Sequence, residues 1–399
     1  MRRRIHLSLA LLAVIVLVVA AGLLWSGLRE DDGAPPSAPG TTPPPRAEPG
    51  SPSPPVPEPP ATGPPVTGPP PGSSGLGPAP GAPAPDGCRV GPKLVPTCNV
   101  LWGAAPGAFT EARGARALAE YEERTGRTQS VYHAYHRGMN GLFPTEEEVG
   151  IAGDPARPRI LFLNWKPWDA SWAEIADGAA DDYLDRLAAH IRATHTEPFF
   201  FTVHHEPEEE VRPRRGSEYT AHDYRDMFRH VVRRLRARGV DNLVTVMVHM
   251  AYVPYTAAPW FPDLYPGDDV VDWVAWDTYA YSERDEYGHG DFAELMNRVS
   301  GEEPDWPGFY NWAVARHPSK PLMVAEWGVW ASNANPGHQA DFYRSVGRQI
   351  AGFPRIKALL HFDTPHDQRG RDSRPERTSD GLAAYRDLGR LPIFQVDVR

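Results

Sequence analysis

In Phe199-Phe-Phe-Thr-Val-His-His-Glu206 and in Pro321-Leu-Met-Val-Ala-Glu326-Trp-Gly328, an apolar run ends abruptly at a glutamate. Such a run is typical of a buried strand whose C-terminal end presents a functional side chain. A charge beside a buried strand is costly unless something uses it. The two runs therefore predict a pair of carboxylates, Glu206 and Glu326, that act together in acid–base chemistry.

Similar apolar runs recur along the chain from residue 100 onward, with helix-patterned segments between most of them. The eight runs are 100–103, 130–135, 160–165, 199–205, 243–249, 270–279, 322–326 and 356–362. Eight strand-and-helix repeats predict an α/β fold of the TIM-barrel type, (β/α)8. One helix is predicted to begin with Thr220 and Asp223 as a capping box and to end at Gly239.

A doubly wound open sheet is the structural alternative to the barrel. Polar or aromatic residues end nearly every run, whereas an open sheet collects them at one switch point. This distribution favours the barrel. No glycine-rich phosphate-binding motif follows any run, so we expect no nucleotide cofactor.

The first 86 residues differ in composition from the rest of the chain. Residues 1–30 are predicted to be a cytoplasmic arginine-rich stub and a transmembrane anchor, because the charge-free apolar stretch 7–25 is long enough to span a bilayer. A cleaved signal peptide is the alternative. Residues 31–86, rich in proline and glycine, predict a disordered linker, with or without a spacing role. Residues 87–399 are predicted to form the folded domain.

These features predict a single-pass protein of the cell membrane with its domain outside the cell, or a secreted protein if the N-terminus is cleaved. In an exported chain, Cys88 and Cys98 are expected to form a disulfide. The net charge of −10 argues against nucleic acid or anionic lipid as a partner. Besides binding a substrate, the protein is expected to associate with the membrane through the anchor. We expect it to be a monomer.

Glycoside hydrolysis requires two carboxyl groups of this kind. Three motifs occur in the order and spacing of glycosidases with these groups on strands four and seven: His205-Glu206, Val271-Asp-Trp-Val-Ala-Trp-Asp-Thr-Tyr279 and Val324-Ala-Glu326-Trp-Gly328. Histidine before the first glutamate, where most such enzymes have asparagine, makes residues 99–390 resemble glycoside hydrolase family 26, the β-mannanase family.

The resemblance implies a retaining glycoside hydrolase, similar to a mannan endo-1,4-β-mannosidase, that acts on a polysaccharide by double displacement. Glu206 would be the general acid/base and Glu326 the nucleophile. Tyr279 is expected to donate a hydrogen bond to Glu326, and His205 to bind the sugar. Carboxyl groups ~5 to 5.5 Å apart would fit retention, and a separation near ~9 Å would fit inversion.

Flat aromatic rings near the strand ends are candidate sugar platforms because pyranose C–H groups pack against them. The candidates are Trp165, Trp168, Trp327 and Trp330, of which Trp165 and Trp327 above all are expected to bind substrate, with plain packing as the alternative. His133 is a further candidate substrate contact. The tryptophans inside strands are expected in the core; they are Trp102, Trp273 and Trp276.

A metal site is the alternative use of the histidines near the strand ends. Zinc could be bound by His133, His136, His204, His205 and His249, but no ligand spacing typical of zinc sites occurs. We therefore expect no metal and no cofactor. His204 is expected to pack or to cap a backbone group, and the glutamates at 146–148 and 208–210 are expected to be solvated.

Two departures from the family pattern leave the substrate open. No aromatic residue follows Glu206, and strand eight ends in Leu360-His-Phe-Asp363 where members often have a tryptophan beneath the reactive sugar, so Phe362 or His361 is expected in its place. A mixed-linkage glucan, xylan or cell-envelope polymer is an alternative to mannan. A non-catalytic glycan-binding barrel displayed on a stalk is an alternative of another class.

Overall fold

The computed structural model describes residues 87–283, 290–301 and 303–399. Eight parallel strands close into a barrel in chain order, and the last pairs with the first. The strands are β1 Leu101–Ala105, β2 Val131–Arg137, β3 Ile160–Lys166, β4 Phe199–Val203, β5 Leu243–Met250, β6 Trp273–Tyr281, β7 Leu322–Trp330 and β8 Ile356–Phe362. Each overlaps the run that predicted it. The predicted barrel is confirmed, and the open sheet is excluded.

Helices surround the barrel and connect successive strands. Within the described residues they are α1 Gly114–Thr125, α2 Glu146–Ala152, α3 Trp172–Ala176, α4 Asp181–Thr194, α5 Ala221–Ala237, α6 Val253–Thr256, α7 Phe292–Met296, α8 Phe309–Arg316, α9 His338–Gln349 and α10 Ser379–Arg390. Because each helix returns the chain to the start of the next strand, the C-terminal ends of all eight strands meet at one face of the barrel.

Two apolar layers hold the barrel together. Side chains alternate along each strand, so one set fills the interior and the other packs under the helices. Phe162, Phe200 and Trp273 belong to the interior layer. Trp102 and Trp276 belong to the layer between strands and helices. The predicted core positions of the strand tryptophans are therefore confirmed.

Helix α5 shows how local sequence signals set the helix boundaries. The Thr220 side chain accepts from the Asp223 backbone N–H at 3.2 Å, and the Asp223 carboxylate accepts from the Thr220 N–H at 2.8 Å, which is the predicted capping box. The buried stripe includes Tyr224 and Phe228, which pack toward the barrel. Gly239, at φ 82°, follows the helix in the left-handed conformation that glycine tolerates.

The end of the barrel at which the strands begin is closed by the first described residues. Cys88 and Cys98 form the predicted disulfide, with Cα atoms 5.3 Å apart. Leu94, between them, packs against the interior layer, and the Lys93 carbonyl accepts a hydrogen bond from Trp273 Nε1 at 2.7 Å. We call this closure, residues 87–99 together with 396–398, the barrel floor. Residue 87 therefore enters at the end opposite to the C-terminal strand ends.

The predicted anchor and linker, residues 1–30 and 31–86, lie outside the described residues. Within the part of the chain that the structure describes, none of the helices has both the length and the apolar character that a membrane crossing requires.

Replacing Thr220 by alanine should lower the free energy of unfolding by about 1 kcal/mol, because it leaves helix N–H groups without their cap. Urea unfolding followed by circular dichroism measures the change. Thr196→Ala is the matched control, since Thr196 is exposed. Equal stability of the two variants would contradict this account of the α5 N-terminus.

Candidate active site

The carboxylate of Glu326 lies at the C-terminal end of the barrel and accepts two tyrosine hydrogen bonds. The Tyr135 hydroxyl donates to Oε1 at 2.5 Å, and the Tyr279 hydroxyl donates to Oε2 at 2.6 Å. The pairing register of β7 with β8 shifts between Val324 and Trp327. This irregularity re-aims the side chains at the strand end, as β-bulges commonly do near active sites.

Glu206 lies just beyond β4, on the neighbouring part of the same face. Its backbone is in the left-handed conformation, φ 52°, and its N–H donates to the Val248 carbonyl at 3.1 Å. His204 is also left-handed, at φ 53°. Each such non-glycine residue costs about 1–2 kcal/mol, a strain that is typical of functional sites. The turn breaks strand alternation, and the Glu206 side chain retains 24% of its surface exposed to solvent.

His205 lies between the two carboxylates. Its Nε2 is 3.8 Å from Glu326 Oε1 and 4.0 Å from Glu206 Oε2. These carboxylate oxygens are therefore no further apart than the sum of the two distances, about 8 Å. Burial, followed by the positive charge of Lys166, holds the pKa of His205 well below its usual value, so the ring is neutral.

The environment separates the protonation behaviour of Glu206 and Glu326. Burial, and next the negative charge of Glu326, raise the pKa of Glu206 well above its ordinary value. Burial also raises the pKa of Glu326, but the hydrogen bonds from Tyr135 and Tyr279 oppose that rise. Two carboxyl groups whose pKa values are pushed apart in this way can serve as an acid and a base.

Asp277, on β6, is a third buried carboxyl group of the site that the sequence analysis did not single out. No described side chain donates a hydrogen bond to its carboxyl oxygens. Burial raises its pKa well above the ordinary value, and the charge of Glu326 adds to the rise. It is two residues before Tyr279, so both side chains point into the barrel. This two-residue spacing from Tyr279 is the sequence signal by which Asp277 could have been recognised as a site residue.

Tyr135 was also missed, although it ends a predicted run. His133, two residues earlier on β2, stacks on Phe162 with ring centroids 4.2 Å apart, and its Nδ1 is 3.3 Å from the Tyr135 hydroxyl oxygen. Burial lowers the pKa of His133 to about 3. His133 is 3% exposed and therefore supports Tyr135 from below, inside the barrel.

The prediction that the glutamates at 208–210 are solvated is wrong for Glu208 and Glu210. The Glu208 carboxylate is buried and lies 2.6 Å from His249 Nδ1, while its second oxygen accepts from the Met250 N–H at 3.1 Å. It fastens the turn that carries Glu206 to β5. Glu210 pairs with Lys166 at 2.5 Å. The composition of an acidic run does not indicate which of its glutamates are buried or paired.

The prediction that the glutamates at 146–148 are solvated is also wrong for Glu148. Glu148 is buried, closes a capping box with Thr145 and pairs with His136 Nε2 at 3.0 Å. A capping box orients the third helical residue toward the preceding chain, so this glutamate is drawn out of solvent.

The aromatic residues divide between the active-site cleft and the helix layer. Trp165 and Trp327 have no exposed surface and belong to the layer between strands and helices, so the structure places neither in the cleft. A small aromatic cluster instead surrounds Glu326 at the open end of the barrel. Its members are Tyr135, Tyr279, Tyr281, Trp330 and Phe362. Of the two expected substitutes for the strand-eight tryptophan, Phe362 joins this cluster, whereas His361 faces helix α1, where its Nδ1 is 3.1 Å from the Tyr121 hydroxyl oxygen.

The histidines considered for zinc do not converge in the described structure. His204 is buried, accepts from Trp172 Nε1 at 3.2 Å and contacts Glu210, so it packs as expected but bonds side chains and not the backbone. The nearest approach to a metal-binding group joins His205, Asp277 and Glu326, whose ligand atoms lie within 4.8 Å of one another. Of these three residues, His205 contacts both candidate catalytic carboxylates, and Glu326 is one of the two.

Replacing Asp277 by asparagine should raise the free energy of unfolding at neutral pH by about 1 kcal/mol or more, because it removes a carboxyl group that ionises freely in the unfolded chain but not when buried. A carboxyl group with a raised folded-state pKa destabilises the fold above its unfolded pKa, so the gain should grow as pH rises from acid to neutral. Urea unfolding at several pH values measures it. Asp241→Asn, at an exposed position, is the control. A variant less stable than the parent at neutral pH would contradict the prediction.

Comparison with known proteins finds similarity to glycoside hydrolases. The family model described as Glycosyl hydrolase family 26 matches residues 174–301. The sequence of Endoglucanase H from Acetivibrio thermocellus is 24% identical over 282 residues, a match that covers 68% of this chain and 28% of that protein. The chain thus spans under a third of this curated relative.

Solved structures share the fold. A family 26 β-mannanase from Bacteroides ovatus aligns with a TM-score of 0.52 at 16% identity, covering 76% of this chain and 91% of that one. A modular endo-β-1,4-mannanase from Cellulomonas fimi aligns with a TM-score of 0.51 at 16% identity, covering 75% and 73%. The family match lies on the barrel and includes the Glu206 turn and strand β6. Residues 174–301 thus match glycosyl hydrolase family 26 on a barrel whose fold solved family 26 structures share, and together the comparisons indicate a glycoside hydrolase.

Proposed function

We propose that the chain cleaves β-glycosidic bonds of a polysaccharide with retention of anomeric configuration, with Glu326 as nucleophile and Glu206 as general acid/base. The observation that carries the proposal is the unequal environment of the two carboxyl groups. Glu326 accepts two tyrosine hydrogen bonds that favour its ionised form, and Glu206 has a strongly raised pKa that favours its protonated form.

In the first step, an oxygen of Glu326 attacks the anomeric carbon while the bond to the leaving oxygen breaks. Glu206 donates its proton to that oxygen, and a glycosyl ester of Glu326 remains. In the second step, the Glu206 carboxylate takes a proton from water, the water oxygen attacks the anomeric carbon, and the ester bond breaks. Tyr135 and Tyr279 hold the Glu326 carboxylate in one orientation throughout.

Neutral His205 lies 3.8 Å from Glu326 and is placed to hydrogen-bond a sugar hydroxyl in the reactive subsite. A neutral ring can both donate and accept, which suits hydroxyl recognition. Phe362, in the aromatic cluster around Glu326, provides the apolar surface against which the sugar ring would pack.

We propose a β-1,4-mannan as the substrate, since the similar structures from Bacteroides ovatus and Cellulomonas fimi are named mannanases. A β-glucan is the second candidate, because the similar protein from Acetivibrio thermocellus is named an endoglucanase. Phenylalanine in place of tryptophan at the end of β8 is the feature of this chain that favours a substrate other than mannan.

We propose that the domain, residues 87–399, is displayed outside the cell on the N-terminal segment. The first described residues form the barrel floor, at the end opposite to Glu206 and Glu326.

Glu326→Ala and Glu206→Ala should each lower turnover by at least about 10²–10⁴-fold while the fold is retained. Azide should restore activity to both on substrates with a good leaving group. The product should be an inverted glycosyl azide from Glu326→Ala and a retained one from Glu206→Ala, because only the latter still forms the ester. Glu209→Ala, which removes an exposed neighbouring charge, is the control.

The opposite pair of azide configurations would mean that the roles are reversed. Glycan binding without hydrolysis, with unchanged affinity in Glu206→Ala, would support a binding barrel instead. The measurements are hydrolysis rates on mannan, galactomannan, mixed-linkage glucan and xylan, with NMR of the azide products.

The pH dependence of kcat/KM should be bell-shaped. Activity falls as pH drops through the pKa of Glu326, which must be ionised, and as pH rises through the raised pKa of Glu206, which must be protonated. Tyr279→Phe removes a donor that lowers the pKa of Glu326, so the acid limb should move to higher pH. Tyr183→Phe is the control and should leave the profile unchanged. Among the described residues, the Tyr183 hydroxyl donates to the Gly141 carbonyl, which is remote from Glu326. An acid limb that stays in place in Tyr279→Phe would contradict the assignment.

A further inference from the structure

Several exposed arginines at one side of the cleft have no carboxylate partner in the described structure, whereas many other arginines of this chain do. On helix α5, for example, Arg229 and Arg233 share Asp269 at 2.8 and 2.9 Å. Four exposed arginines, at the end of β2 and in the loop between β4 and α5, have no carboxylate within 4.0 Å among the described residues. They are Arg137, Arg212, Arg214 and Arg215. With Lys166, we call this group the basic rim.

The basic rim borders the candidate catalytic residues. Arg137 ends β2, two residues after Tyr135, and Lys166 ends β3. The positive charges of Lys166 and Arg137 both contribute to the lowered pKa of His205, so their fields extend into the site. Lys166 ends the strand that pairs with β4, and Arg137 ends the next strand around the barrel.

The loop that carries the other three arginines lies on the same side. The Glu218 carbonyl accepts from the Ala173 N–H at 3.2 Å, and the ring of Tyr219 is 5.2 Å from that of Trp172. These contacts join the loop to the start of α3, which directly follows the β3 end. Arg212 stacks over Tyr219, with 4.8 Å from the guanidinium carbon to the ring centroid.

An exposed tryptophan lies within the basic rim. Trp168 retains 58% of its surface exposed to solvent, and the Arg137 guanidinium carbon is 5.3 Å from its ring centroid. An exposed aromatic ring beside a cleft is a platform for a sugar ring. A guanidinium next to that platform adds a bidentate donor for a carboxylate or phosphate group.

Lys166 of the basic rim contacts Glu210, four residues after Glu206, so the rim lies beside the residue that is proposed to protonate the leaving oxygen. We propose that the leaving-group side of this cleft binds a glycan that carries negative charge, as carboxylate or phosphate substituents, on Trp168 and the arginines of the basic rim. The inference rests on the proposed function for the direction of the chain in the cleft. It is specific to this surface, because the whole chain carries a net charge of −10 and would otherwise repel an acidic polymer.

The test measures binding of the full chain with Glu326→Gln, so that turnover does not interfere. The probes are galactomannan, carboxymethyl galactomannan and phosphorylated galactomannan, and the corresponding neutral, carboxymethyl and phosphorylated celluloses. At low ionic strength, a charged polymer should bind at least about threefold more tightly than its neutral parent, and the preference should shrink as salt screens the charges. The two charged forms distinguish carboxylate from phosphate.

Arg137→Gln and the double variant Arg214→Gln/Arg215→Gln should each weaken binding of the charged polymer about two- to fivefold and leave neutral binding unchanged. Arg89→Gln/Arg316→Gln is the matched control. Both residues are exposed without a carboxylate within 4.0 Å in the described structure, Arg89 on the barrel floor and Arg316 at the end of α8. Trp168→Ala should weaken binding of charged and neutral polymers alike.

Absence of a preference for the charged member on both backbones would overturn the inference, as would equal losses in the rim and control variants. Hydrolysis by the chain with Glu326 intact is measured separately on the same polymers. Cleavage of neutral polymer without a charge preference defeats this inference and leaves the proposed function intact. Charge-selective binding that the rim variants weaken, without cleavage of any polymer, defeats the proposed function and leaves the basic rim as a binding site for charged glycan without a leaving-group side.

Discussion

Three carboxyl groups, of Glu206, Asp277 and Glu326, are held around one neutral histidine at the open end of the barrel. Burial opposes the ionisation of all three, the charge of Glu326 opposes that of Glu206 and of Asp277, and the charge of Glu206 opposes that of Asp277. Such a group is costly to fold because buried charges repel and lose their hydration. The barrel offsets that cost with two continuous apolar layers, and the tyrosine donors to Glu326 reduce it locally.

The position of the carboxyl groups depends on breaks in strand regularity. A strict alternation would send neighbouring residues to opposite faces, yet His205 Nε2 approaches both the Glu206 and the Glu326 carboxylates. The left-handed backbone at His204 and Glu206 produces this approach on β4, and the register shift produces it on β7. The strained turn is held by the buried contact of Glu208 with His249. Local strain and distant packing are therefore coupled at the site.

Much of the fold was predictable because its signals are local and repeated. Apolar runs of strand length, the Thr220 capping box and the glutamates at the ends of β4 and β7 can all be recognised from neighbouring residues. Asp277 and Tyr135 were not recognised, since their importance comes from contacts across the barrel with Glu326. Trp165 illustrates the converse, because a tryptophan at a strand end points either into the cleft or under a helix, and one residue of register decides which. Glu208 was missed because a run of glutamates has the same composition whether its members are solvated or buried.

The account's central claim is that Glu326 forms a covalent bond to the sugar. The most direct measurement is to treat the chain with 2-deoxy-2-fluoro β-mannobiosyl and β-cellobiosyl glycosides that carry a dinitrophenyl leaving group, and to locate the adduct by peptide mass spectrometry. The account predicts one added glycosyl group on the peptide that contains Glu326, with dinitrophenol released in equal amount. An adduct on Glu206 or Asp277, or dinitrophenol release with an inverted sugar product and no adduct, would contradict it.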